Sequence, residues 1–313
     1  MDRFLTLTAN PALDLSTAVE RIEASHKMRC DAPQVHAGGG GINVARVLHR
    51  LGARVRALFP AGGPTGERLC RSLAQEGVPS DCLPIEGETR ESFTVRESST
   101  GRELRFVLPG PTWAESEWQA CLDRLRDGPP PAWVIASGSL PPGAPADFHA
   151  RAAHIARERG SRFVLDSSGP ALRHALDAGV FMIKPSLREM RELTGSPLST
   201  PAEQREAAKA LVNAGMAQVV ALSLGSGGAL LVTAEGSWRS SALQVAVVST
   251  VGAGDSFLAG LVWALDQESD PAEAFRTAMA AGAAALLAPG TALCGPDDLT
   301  RLRGEVEVAQ IKE

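Results

Sequence analysis

The sequence predicts an α/β protein whose parallel sheet is covered by helices on both faces. Apolar, β-rich runs recur as AWVIASGSL (132–140), RFVLDSS (162–168), VFMIKPS (180–186), QVVALSL (218–224), GALLVT (228–233) and LQVAVV (243–248). Between several of them lie amphipathic stretches such as DFHARAAHIARERG and AEQREAAKALVNAG, the second closing on Gly215 as a helix stop. Runs that are apolar on both faces belong to strands buried from both sides. With 44% hydrophobic and 21% charged residues among 313, the chain reads as globular, in one large domain or two smaller ones.

Two regions depart from the strand–helix alternation. Residues 15–36 and 89–108 read as strands and turns without a helix. In the second, Phe93 and Val95 alternate with Thr94 and Arg96, SSTG marks a turn, and Leu104, Phe106 and Leu108 alternate with Arg105 and Val107. That pattern is a hairpin with one apolar face. A small sheet of this kind does not leave its apolar face in water. Either it packs on the main domain, or it projects as a lid, turns its polar face to a cleft and covers the apolar face with a second subunit. The second arrangement, a homodimer through the lid, is the expectation.

Composition narrows the function. Net charge is −5 and the arginines are scattered, which argues against nucleic acid as a partner. The N-terminus, MDRFLTLTAN, has no signal-peptide pattern and no apolar run is of membrane-spanning length, so a cytoplasmic protein without a membrane partner is expected. The five cysteines form no CxxC pair, and the six histidines show neither HxxxH nor HExxH spacing; disulfide framework and zinc site are both unsupported. No GxSxG occurs.

Three glycine-rich stretches, GGGGINVAR (38–46), SLGSGGALL (223–231) and TVGAGDS (250–256), fail the P-loop and dinucleotide-fold patterns but still point to anion handling. In TVGAGDS a turn with few β-carbons feeds a helix, so the amides of Gly252, Ala253 and Gly254 can point outward as an anion nest. Asp255 follows, where the positive end of the helix favours its ionised form; it is either a plain helix-start residue or a catalytic carboxylate. Asn43 falls in the first turn of a second such helix, ending at Gly52, where its amide could meet a ligand hydroxyl. In NPALD (10–14), Asp14 either makes an Asx-turn or holds sugar hydroxyls at the carboxyl end of a strand. Arg90 and Arg105 on the hairpin either solvate a face or, if they share one cleft, form a phosphate clamp.

NPALD, GGGGINVAR, SGSLPPG (137–143), DSSG (166–169), KPSLREM (184–190), SLGSGG and TVGAGDS occur in the order seen in the PfkB carbohydrate kinase (ribokinase-like) family, which the chain resembles over nearly its whole length. The resemblance implies a single domain, 1–313, of three-layer α/β/α architecture: a mostly parallel central sheet with a small projecting β-sheet lid from about 15–36 and 89–108. It implies transfer of the ATP γ-phosphoryl group to a sugar hydroxyl, with Asp255 as catalytic base and Gly252, Ala253 and Gly254 as the anion hole. Asp14, Gly39 and Asn43 match sugar-binding positions. Arg90 and Arg105 match positions that hold a phosphate already on the substrate, with Lys27 and Ser139 as further substrate contacts. On the nucleotide side stand Lys184, Ser186, Ser223, Leu224, Gly225 and Gly228. Glu189 is implied as an indirect magnesium residue, and a potassium site is implied near Ser249, Val251, Ala285 and Gly290.

One departure from the family pattern concerns the metal. Where Asn-x-x-Glu usually follows Lys-Pro, this chain has Ser186-Leu187-Arg188-Glu189. Serine keeps an oxygen but reaches less far, so a bridging water is expected to fill the gap. Within the family's phosphosugar branch, fructose 6-phosphate is the favoured acceptor and fructose 1-phosphate or tagatose 6-phosphate the rivals. A non-catalytic sugar- or nucleotide-binding regulator, supported by the Ser186 departure and opposed by Asp255, is the alternative of another class.

Overall fold

The structure, a computed structural model, describes residues 2–311. In chain order the strands are β1 (Phe4–Leu7), β2 (Ala12–Val19), β3 (Gln34–Gly38), β4 (Val55–Ala61), β5 (Ser80–Pro84), β6 (Arg90–Glu97), β7 (Glu103–Val107), β8 (Trp133–Ser137), β9 (Arg162–Asp166), β10 (Val180–Ile183), β11 (Ala217–Ser223), β12 (Ala229–Thr233), β13 (Gly236–Ser240) and β14 (Ala309–Gln310). The helices are α1 (Gly40–Arg50), α2 (Gly63–Gln75), α3 (Glu115–Asp127), α4 (Phe148–Glu158), α5 (Gly169–Ala178), α6 (Leu187–Thr194), α7 (Pro201–Asn213), α8 (Ala253–Asp266), α9 (Pro271–Leu286) and α10 (Pro296–Arg303).

The large sheet runs β14-β13-β12-β11-β10-β9-β8-β1-β4-β5. It is parallel from β5 to β11 and antiparallel at the β12–β14 edge. Alternation along each strand feeds two cores. Phe4 and Val164 join the helices α1, α2, α8, α9 and α10, whereas Leu7 and Leu165 face α3 to α7. Helices on both faces give the expected three layers. Local signals match: Thr200 and Glu203 form a capping box at the start of α7, with Pro201 in its first turn, and Gly215 beyond its end has φ 70°.

The small sheet has the order β3-β2-β6-β7. Its hairpin has the predicted apolar face, with Phe93 opposite Phe106 and Val95 opposite Leu104. Asp14 lies inside β2, opposite His36 and Ser92, so the Asx-turn alternative falls: the strand resumes at Ala12, directly after Pro11.

One further expectation is corrected. LQVAVV (243–248) is not a strand: it joins no sheet, and β13 at 236–240 takes the place next to β12. Cys70 and Cys82, far apart in pattern, meet because α2 packs on β5, which brings their sulfurs to 2.8 Å. No helix among the described residues is long and apolar enough to cross a membrane.

Candidate active site

From β1 the chain passes to β4 on one side, while β8 to β11 build the other, so the strand order reverses between β1 and β8. Crevices at such reversals, beyond the carboxyl ends of the strands, are where α/β sheets hold ligands. Here a polar cavity of about 260 Å³ lies between those strand ends and the polar face of the small sheet. The sheet contributes Asp14, Arg90, Ser92, Arg105 and Val107; the strand ends contribute Ser137, Ser139 and Asp166; the helix starts contribute Gly39, Asn43, Glu189, Gly252 and Asp255.

Asp255 is the third residue of α8, whose N-cap is Gly252 in the left-handed conformation at φ 77°. A β-carbon there would also come within 2.2 Å of the Leu293 side chain, which would have to shift, so glycine makes this turn with the least strain. The first helical bond, Ser256 N–H to the Gly252 carbonyl at 2.9 Å, leaves the amides ahead of it without a partner inside the helix. Asn43 Nδ2 donates to Asp255 Oδ2 at 2.9 Å and so orients the carboxylate. Lys184 Nζ is 3.1 Å from Asp166 Oδ2, to which Ser137 Oγ also donates at 3.3 Å. A β-carbon on Gly254 would stand 3.4 Å from Lys184 Nζ, which places the ammonium against the start of α8.

Burial, with the Asp166 carboxylate nearby, pushes Asp255 up to about 6, against the pull of Asn43, Lys184 and Arg105. This overturns the expectation that the helix end keeps Asp255 a weak base. Helix ends stabilise a charge by about 0.3–1 kcal/mol, and withdrawal from water outweighs that here. Burial also opposes the charge on Lys184, yet Asp166 and Asp255 hold it above the ordinary lysine range. Asp14 is likewise raised by burial, against Arg105, Arg90 and Arg46. The expected pH profile follows from the sign: protonated Asp255 accepts no proton, so kcat falls about tenfold per unit below about pH 6. A flat kcat between about pH 7.5 and about pH 5 would exclude it as the base.

A second cavity, about 460 Å³ and more apolar, is lined by Ser223, Gly225 and Gly228, by Leu243 to Val245 and Val247 of the unpaired run, and by Phe257, Met279 and Ala283. Its wall also includes Thr250, Ala253 and Gly254, while Val251, Gly252 and Asp255 line the polar cavity. One turn therefore separates the two spaces.

Several predicted residues sit differently. Arg90 lines the polar cavity and gives three of its five N–H donors to the carbonyls of Asn10 at 2.8 Å, Leu108 at 3.1 Å and Pro11 at 3.4 Å, whereas Arg105 stands exposed at the cavity. Ser139 Oγ accepts from Asn10 Nδ2 at 3.2 Å. Lys27 is exposed in the segment between β2 and β3, outside the cavity lining. Leu224 turns its side chain to the core beside α7 and leaves the second cavity to its glycine neighbours. Ser186 caps α6: its Oγ accepts from Glu189 N–H at 3.3 Å and its N–H donates to Glu189 Oε2 at 2.8 Å, so serine and glutamate are engaged with each other.

Asp166, not singled out in the sequence, closes the ion pair. Its signal was DSSG at the end of a strand; the partner, Lys184, comes from the end of the next. Among the described residues no three acids, histidines or cysteines converge as a metal cage. A magnesium ion carried mainly on nucleotide phosphates needs only one or two protein carboxylates, and the cavity wall offers Glu189. For potassium, the turn holding Ser249 and Val251 is tied to the end of α9 by Val248 N–H to the Leu286 carbonyl at 2.8 Å. That brings it beside Ala285, whose own carbonyl accepts from Ala288 N–H at 3.2 Å.

The pfkB family carbohydrate kinase pattern matches residues 8–298. The chain is 50% identical over 300 residues to the ATP-dependent 6-phosphofructokinase isozyme 2 of Mycobacterium tuberculosis, covering 96% of this chain and 88% of that one. Phosphofructokinase-2 from Escherichia coli in complex with fructose-6-phosphate has the same fold, with TM-score 0.92, 37% identity and coverage of 97% of this chain and 99% of that one. The structure of that enzyme in complex with potassium gives TM-score 0.93 at 38% identity, with the same coverage of 97% and 99%. Matched across nearly all its length in sequence and in fold, the chain belongs to the pfkB family of carbohydrate kinases.

Proposed function

We propose that the chain is an ATP-dependent phosphosugar kinase that converts fructose 6-phosphate to fructose 1,6-bisphosphate. The observation that carries the reading is the turn 250–255 shared by the two cavities, with Asp255 on the polar side and Ala253 and Gly254 on the other. The apolar space suits a nucleobase, and the polar one suits a sugar phosphate beside Arg105 and Asp14. A γ-phosphoryl group reaching from the first space would meet a sugar hydroxyl in the second across the start of α8.

In that arrangement Asp255 accepts the proton of the attacking hydroxyl as the new P–O bond forms and the bond to ADP breaks. The amides of Gly252, Ala253 and Gly254 and the Lys184 ammonium face the charge that spreads over the transferring oxygens, which is where such reactions need stabilisation. Glu189 would help hold magnesium with the nucleotide, and the ion would supply further charge neutralisation. Ser186 Oγ caps α6 by accepting from Glu189 N–H and keeps its hydroxyl proton for the bridging water expected beside the metal. Backbone carbonyls around Ser249, Val251, Ala285 and Gly290 would hold potassium behind the turn. The outer face of the lid, with Phe93, Val95, Leu104 and Phe106 and with Phe106 53% exposed, supports pairing of two copies through that sheet.

ADP release measured with fructose 6-phosphate, fructose 1-phosphate, tagatose 6-phosphate, fructose and ribose tests the reading. Turnover is expected with fructose 6-phosphate; activity confined to the unphosphorylated sugars would refute it, and none on any acceptor would favour a binding protein. Arg105→Ala is expected to raise KM for the phosphosugar about 10- to 100-fold, the worth of a charged hydrogen bond, with KM for ATP unchanged. An unaltered KM would remove Arg105 from the phosphate clamp.

A further inference from the structure

The small sheet reaches the catalytic turn through a side chain that lines neither the polar nor the apolar cavity. Glu103 opens β7, and Arg105 follows two residues later, which puts both on the same face of the strand. Glu103 Oε2 accepts a hydrogen bond from Ser249 Oγ at 3.3 Å. The same Oγ accepts from Val251 N–H at 3.2 Å. Ser249 is only 2% exposed, and Val251 directly precedes Gly252, the residue that starts α8. Two hydrogen bonds thus lead from the strand that carries Arg105 to the turn that aims the anion-hole amides.

A second contact keeps the path in register. Ser16, on the polar face of β2, lies so close to the loop after α9 that a β-carbon on Gly290 would stand 2.5 Å from its Oγ. The end of α9 is tied in turn to the residue before Ser249 through the Leu286 carbonyl. The sheet therefore braces both sides of the 248–252 segment.

We infer that Glu103 is a positioning residue that makes the anion hole depend on how the lid is seated. The inference rests on the phosphosugar-kinase reading and deepens it. The strand that presents Arg105 to a sugar phosphate also carries Glu103, which fixes the Ser249 hydroxyl while β7 is in place. A hydroxyl has one proton: with that proton committed to Glu103, a lone pair of Ser249 is left directed at Val251 N–H. The peptide between Val251 and Gly252, and with it the direction of the amides behind the transferring group, is then set. Without Glu103 the hydroxyl is free to rotate and the turn loses this hold. A sugar that fails to seat the lid would meet a less ordered anion hole, so the chain would discriminate acceptors by kcat as well as by affinity.

The test uses Glu103→Ala, Glu103→Gln, Ser249→Ala and the Glu103→Ala/Ser249→Ala pair, each checked for an unchanged melting temperature and assayed with fructose 6-phosphate and ATP. Glu103→Ala is expected to lose about 10- to 100-fold in kcat, as a small misplacement near the chemistry does, with KM for ATP unchanged. Glutamine keeps a carbonyl oxygen for Ser249 Oγ–H, so Glu103→Gln should restore most of the loss. Ser249→Ala should match Glu103→Ala, and the pair should lose no more than either alone, because both break one path. Wild-type kcat in Glu103→Ala, multiplied losses in the pair, or a Gln variant as impaired as Ala would overturn the inference. No turnover by the wild-type chain would overturn the kinase reading and this inference with it, so the two failures are distinguishable.

Discussion

Asp255→Asn is expected to lower kcat for fructose 6-phosphate phosphorylation by about 10²- to 10⁴-fold, the usual worth of a general base, while KM for ATP barely changes. Asparagine keeps the size of the side chain and can still accept from Asn43, but it takes no proton. The melting temperature supplies a control. A carboxyl raised to about 6 in the folded chain contributes stability that is present at low pH and lost as pH rises through that value. At neutral pH the charge therefore works against the fold, and the neutral amide should melt no lower than the wild type. A loss in kcat of less than about tenfold would remove Asp255 from the proton transfer.

Lys184→Met is the second large effect, and it should appear in three measurements. Turnover should fall about 10²- to 10³-fold, because a charge aimed at the transferring group is lost from a water-poor site. Stability should fall by about 3–5 kcal/mol in urea unfolding, since Asp166 would be left buried without its partner. The residual activity should lose its acid side at a higher pH than the wild type, because Lys184 is one of the groups holding Asp255 down. An unmoved acid limb would mean that the ammonium does not act on the catalytic carboxylate, whatever it does for the nucleotide.

The parts of this site that were legible in the sequence are those fixed by local chemistry. Strands apolar on both faces, amphipathic helices between them, and glycine turns at the starts of α1 and α8 are each determined within a dozen residues. The family resemblance rests on the same segments. What was not legible depends on partners distant in the chain. LQVAVV has strand composition, yet whether an extended run pairs is decided by its neighbours; this one is left beside β13 with Val247 54% exposed and becomes a cavity wall. Arg90 was readable as a cation at a cleft, but not that the carbonyls of Asn10, Pro11 and Leu108 would take three of its five N–H donors. The basicity of Asp255 was misread because a helix end is visible in sequence and burial is not. The rise from its ordinary 3.8 to about 6 is a net effect of about 3 kcal/mol, above what a helix end supplies.

The arginine at the root of the lid has its own consequence. Asn10 and Pro11 lead into β2, Leu108 leads out of β7, and Arg90 begins β6, so one guanidinium pins together the three chain segments at the root of the lid. A cover made as a loose loop would lose roughly 1–2 kcal/mol of backbone entropy for each residue it ordered over a ligand. Here the cover is a four-stranded sheet, ordered when the protein folds and fastened at its base. Seating it on a sugar orders almost no additional backbone, and the attraction between sugar and protein is left to hold the reacting groups in line.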